Sequence, residues 1–132
     1  MPRENFGPEH VFLAKEEILS YEEMTSVVAS LLPLGLSKVR ITGGEPLLRR
    51  DLHVFIALLR DLDSELDIAL TTNGVLLERH AEILFKSGLN RITVSLDAVH
   101  TELFQTITDS KNSPKDVFKG IDVAQKIGLP VK

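Results

Sequence analysis

Three stretches of this chain repeat one arrangement: LGLSKVRIT at 34–42, SGLNRITVS at 87–95 and IGLPVK at 127–132. Each sets a glycine (Gly35, Gly88 or Gly128) before a leucine and a β-branched run. A glycine can close a helix in a left-handed cap, and the run after it reads as a strand. A further strand, LDIALTTNG at 66–74, ends in the same polar chemistry without the entering glycine. Helical patterns fill the gaps. Ser20 and Glu23 form a capping-box pair that opens a helix to about Leu34, and Ser113 with Pro114 opens another to about Ile127. In the latter, Val117, Phe118, Ile121, Ala124 and Ile127 fall on one face. Leu52, Phe55, Ile56, Leu59 and Leu62 do so over 51–62, and Leu77, Ala81, Leu84 and Phe85 over 77–86. TDSKNSPKD at 108–116 reads as an exposed loop inside one βα unit. Helix and strand alternate at the spacing of parallel βα units, which predicts a parallel α/β sheet or partial barrel.

The strands are not uniformly apolar, as strands covered by helices on both sides would be. Alternation sorts Val39 and Ile41 from Arg40 and Thr42, and Ile68, Leu70 and Thr72 from Ala69, Thr71 and Asn73. It also sorts Ile92, Val94 and Leu96 from Thr93, Ser95 and Asp97. If the first set faces the helices, the second lines a polar cavity, and the same phase turns Lys132 inward. Cations on both end strands with hydroxyls between suit a polar, anionic small molecule. The competing reading is a one-sided sheet whose polar face meets water. The polar residues crowd toward the strand C-termini, where parallel α/β folds place their sites, and this favours the cavity.

Composition narrows the partners. A chain of 132 residues, 43% hydrophobic and 26% charged, supports one domain with a real core. Its net charge of −4 argues against a nucleic-acid surface. No apolar run approaches the roughly 20 residues of a membrane span, and MPRENFGPEH lacks the apolar stretch of a signal peptide. The expectation is a cytoplasmic protein that binds neither nucleic acid nor membrane. There is no cysteine, hence no disulfide and no thiolate metal ligand, and His10, His53, His80 and His100 are too scattered to suggest a metal site.

At the first strand end the chain runs TGGEP, residues 42–46. Gly43 and Gly44 would let a ligand approach bare main chain, Glu45 could accept from an ammonium, and Pro46 stiffens the exit. An ordinary tight βα turn with an incidental acid remains the alternative. The stretch is neither GxGxxG nor a P-loop, and the neighbouring TTNG and SLD are weak alone. Arg49, Arg50 and Asp51 read as the charged start of a helix, with either arginine also able to meet a phosphate.

Taken together, KVRITGGEPLLRRDL (38–52), IALTTNGVLLER (68–79), NRITVSLDAV (90–99) and GLPVK (128–132) resemble the GTP 3',8-cyclase family of molybdenum-cofactor biosynthesis, which are radical S-adenosylmethionine (SAM) enzymes. The resemblance implies a parallel (β/α) partial TIM-like barrel of the radical SAM type, here one domain over 1–132 truncated at both ends. It implies a lyase in which a [4Fe-4S] cluster and SAM generate a 5'-deoxyadenosyl radical. That radical takes hydrogen from C3' of GTP, and the resulting carbon radical attacks guanine C8 to give 3',8-cyclo-7,8-dihydro-GTP. Carried over by position, Gly44 and Ser95 are implied SAM contacts, and Arg40, Thr71 and Lys132 implied GTP contacts. A homodimer is the candidate assembly of the full-length enzyme.

The departures are large. The family's CxxxCxxC cluster motif is absent, and MPRENFG resembles the segment that follows its third cysteine. The cluster ligands are therefore missing from this sequence, and no metal site is assigned. The expectation is an internal fragment, inactive alone. Two alternatives stay open: another radical SAM enzyme that activates a protein or modifies a peptide, and a non-catalytic nucleotide-binding barrel.

Overall fold

A computed structural model describes residues 17–132, so His10 and the MPRENFG segment lie outside the described residues. The elements are α1 (Tyr21–Leu31), β1 (Lys38–Ile41), α2 (Leu52–Leu62), β2 (Asp67–Thr72), α3 (Leu77–Lys86), β3 (Arg91–Val94), α4 (Thr101–Thr108) and α5 (Pro114–Lys126). The three strands form a parallel sheet in the order β1-β2-β3. A fourth strand segment joins β3 through a parallel bridge between Ile92 and Val131.

Local chemistry explains the boundaries. Ser20 Oγ accepts from the Glu23 amide at 3.1 Å while the Glu23 carboxylate accepts from the Ser20 amide at 2.7 Å, the reciprocal box that opens α1. The helix tightens into a 3₁₀ turn at Leu32–Leu34, where Pro33 sits. Gly35, Gly88 and Gly128 all take the left-handed conformation, with φ of 92°, 99° and 83°, as the repeated turn requires. At α5 the Asp116 carboxylate accepts from the Ser113 amide at 2.9 Å.

The apolar strand face packs against the helices. Ile68, Leu70 and Ile92 share one core with Leu52, Phe55, Ile56 and Leu59 of α2 and Leu77, Ala81 and Leu84 of α3. Full burial of a side chain such as Ile56 or Leu59 contributes about 1.5–3 kcal/mol.

Two aromatic residues depart from the sequence reading. Phe85 is 41% exposed and Phe118 47%. The buried face of α5 is instead centred on Val117, Gly120 and Ala124, because α5 crosses α3 so closely that only a glycine fits at position 120. Helix α4, over TELFQTIT, is an addition to the elements that the sequence pattern predicts. Phe104 anchors it in a small second core with Val117 and Ala98.

The sheet is open. The four strand segments of the described residues do not close into a barrel, so their polar face forms an open surface. Among the described residues no helix is long and apolar enough to cross a membrane.

Candidate functional site

The site grows from the C-terminal ends of the strands. After β1 the chain turns at Gly43, whose φ of 149° disfavours any side chain, and continues through Gly44. A Cβ at Gly43 or Gly44 would have nothing within 4 Å, so both glycines border open space. Among the described residues neither makes a main-chain hydrogen bond, and this leaves a bare polar edge for a ligand to meet.

Glu45 anchors that edge. Its Oε1 accepts from the Leu47 amide at 3.0 Å and from Thr72 Oγ1 at 2.7 Å, and its Oε2 accepts from the Asn73 amide at 2.8 Å. A carboxylate offers about four acceptor positions, so three are used inside the protein and one on Oε2 is left for an incoming donor. Glu45 is thus chiefly a staple between the loop after β1 and the loop after β2.

The polar strand face carries the second half. Register pairs Arg40 with Ala69, and Thr71 with Thr93, which places all four on one side of the sheet. The Arg40 guanidinium lies across that side and donates to Thr71 Oγ1 at 3.1 Å and Thr93 Oγ1 at 3.4 Å. Lys132 is held beside β3 by main-chain bonds to Ile92 and Val94, both 2.9 Å, so alternation sets it on the side of Thr93. Ser95 follows β3 and is tied by its amide to the Thr72 carbonyl at 2.9 Å. Arg40, Gly44, Ser95 and Lys132 are exposed, and Thr71 is half-buried. Arg40, Thr71 and Thr93 therefore meet directly, while Gly44, Ser95 and Lys132 ring them on neighbouring strand ends.

Other charged residues have structural work. Arg49 lies 4.3 Å over the Tyr21 ring and donates to the Leu19 carbonyl. Tyr21 stacks on Phe55 at 5.3 Å and donates to the Arg50 carbonyl at 2.8 Å. Burial pushes the Tyr21 phenol above its ordinary range, with Arg49 opposing. Tyr21, Arg49 and Arg50 line a broad surface depression of about 810 Å³ that includes none of Arg40, Gly44, Thr71, Ser95 and Lys132. At the opposite end of the polar face, Asp67 pairs with Arg91 at 2.8 Å and Lys38 at 3.5 Å, an ionic floor that strand alternation alone does not reveal. The Thr72–Glu45 bond was also missed. Its signal was a threonine in the apolar phase of β2, where a hydroxyl needs a partner. Among the described residues no group of His, Cys, Asp or Glu could hold a metal ion.

Residues 7–132 match the Radical SAM superfamily. The chain belongs to that superfamily. Over all 132 residues it is 48% identical to the GTP 3',8-cyclase of Staphylococcus carnosus (strain TM300) and 49% identical to that of Staphylococcus aureus (strain JH9). It spans 39% of the length of each of these curated relatives.

Radical SAM proteins use SAM with a [4Fe-4S] cluster, and the residues present fit these groups unequally. The open edge at Gly43 and Gly44, with an acceptor position left on Glu45, suits an amino acid moiety carrying an ammonium. The cluster does not fit this stretch, because thiolates hold such clusters and the sequence has no cysteine.

Proposed function

We propose that this chain supplies the cofactor- and substrate-facing strands of a GTP 3',8-cyclase, a lyase that converts GTP to 3',8-cyclo-7,8-dihydro-GTP in molybdenum-cofactor biosynthesis. SAM, when bound, supplies hydrogen-abstracting chemistry at the ribose. The chain's own residues bind and orient. In this reading the main chain at Gly44 and the hydroxyl of Ser95 hold SAM, while Arg40, Thr71 and Lys132 hold GTP. Residues 1–132 form one partial barrel domain, the protein is cytoplasmic and the full-length enzyme is a homodimer. Because no thiolate is present to carry a cluster, these residues alone are expected to be inactive.

The observation that carries this reading is the Arg40 guanidinium laid across two hydroxyls on an open polar face. A cation already oriented by neutral partners keeps its full charge for an anionic ligand, and the threonines offer hydroxyls beside it. The relatives' shared name agrees with that chemistry.

Calorimetric titration of GTP and of guanosine tests it. The expected result is saturable GTP binding, with guanosine at least about tenfold weaker because it lacks the charged groups that Arg40 and Lys132 would meet. Absence of GTP binding contradicts the proposal.

A further inference from the structure

The loop after β1 poses a mechanical problem. Gly43 and Gly44 have no main-chain partners among the described residues, and open space surrounds them, so packing does not fix their position. Further along, Pro46 and Leu47 are buried, with Leu47 in the main core, and between them and the glycines one side chain reaches the end of β2. Glu45, directly after Gly44, receives a 2.7 Å hydrogen bond from Thr72, directly after Thr71.

Thr72 is the only buried polar residue among the described ones, at 2% exposure. Its hydroxyl donates to the carboxylate and accepts from the Gly74 amide at 3.1 Å. The second carboxylate oxygen takes the Asn73 amide. The loops after β1 and β2 are thus joined through one acid and one hydroxyl. Charge-assisted bonds away from water are stronger and more directional than exposed ones.

We infer that Thr72 and Glu45 are a positioning pair that fixes the Gly43–Gly44 edge against the end of β2, and so sets the ligand contact at Gly44 relative to that at Thr71. Which ligands occupy those contacts rests on the cyclase reading; the mechanical tie does not. Thr72 touches no ligand and acts through Glu45. Thr72→Val keeps the side-chain shape and removes both the donor to Glu45 and the acceptor of the Gly74 amide, so Leu47, on the other side of Glu45, is the cleaner reporter. The carboxylate then has one partner fewer and loses its fixed position.

Two measurements on the full chain decide the matter. In hydrogen–deuterium exchange, the Leu47 and Asn73 amides bond to Glu45 and not to Thr72, so they report whether the carboxylate stays in place. In Thr72→Val they are expected to exchange about tenfold faster, with the amides of α2 and α3 unchanged and protection restored in Thr72→Ser. In equilibrium dialysis, the Kd for SAM is expected to rise about tenfold in Thr72→Val and to return in Thr72→Ser. Should Thr72→Val lose the fold, Glu45→Gln carries the same test, since its amide sets a donor against a donor. Unchanged Leu47 and Asn73 exchange overturns the inference even where the wild type binds SAM and GTP. A wild type that binds neither ligand sinks the cyclase reading instead, and the exchange result still judges the tie.

Discussion

Gly120→Ala is expected to destabilise the chain by about 2–3 kcal/mol, and Gly120→Val by more. The sign is the opposite of the usual one, because alanine normally favours a helix over glycine by about 1 kcal/mol. A Cβ at position 120 would stand 2.7 Å from Leu77 Cβ, 3.0 Å from the Glu78 amide nitrogen and 3.1 Å from the Gly74 carbonyl. Two of these atoms are backbone and the third is a Cβ, so no rotamer change relieves the clash. Helix α5 would have to lift from α3, opening the core around Val117 and Ala124. Against a typical total of about 5–15 kcal/mol this is a large fraction. Urea unfolding would show a lowered midpoint; an unchanged or raised midpoint in Gly120→Ala would contradict the packing described.

Arg40→Ala is expected to weaken GTP binding by about 10–100-fold while leaving stability within about 0.5 kcal/mol of the parent. The contrast follows from exposure. Arg40 is on the open face, bonded to two hydroxyls that water can satisfy after its removal, so the fold loses little. The ligand loses a charge and an oriented fork of donors. Arg40→Lys should restore only part of the affinity, because a point charge does not reproduce that fork. Calorimetry checks both variants. Equal GTP affinity in the parent and Arg40→Ala would remove Arg40 from the site.

Much of this arrangement was legible in the sequence for a physical reason. A strand has a period of two, so placing Val39, Ile68 and Ile92 toward the core fixes the side of Arg40, Thr71 and Thr93, and the register agrees. Gly35, Gly88 and Gly128, ahead of β1, β3 and the Val131 bridge, are equally readable, because a left-handed cap has strong residue preferences. What stayed hidden depends on contacts between elements. Hydropathy cannot reveal that Gly120 marks the closest approach of two helices, so Phe118 was given its place on the buried face. Helix α4 carries three threonines in eight residues, a weak helix former by propensity, and is held by the tertiary burial of Phe104. Glu45 looked like a free acceptor because its partners, Thr72 and Asn73, are 27 and 28 residues away in sequence.

The central claim is that the hydrophilic sides of adjacent parallel strands form one ligand surface. The most direct measurement is a residue-resolved NMR titration of the isotope-labelled chain with GTP. The account predicts that perturbed resonances cluster at Arg40, Thr71, Thr93 and Lys132 and saturate together. Perturbations confined to the depression around Tyr21 and Val54, or scattered over the outer helix faces, would contradict it.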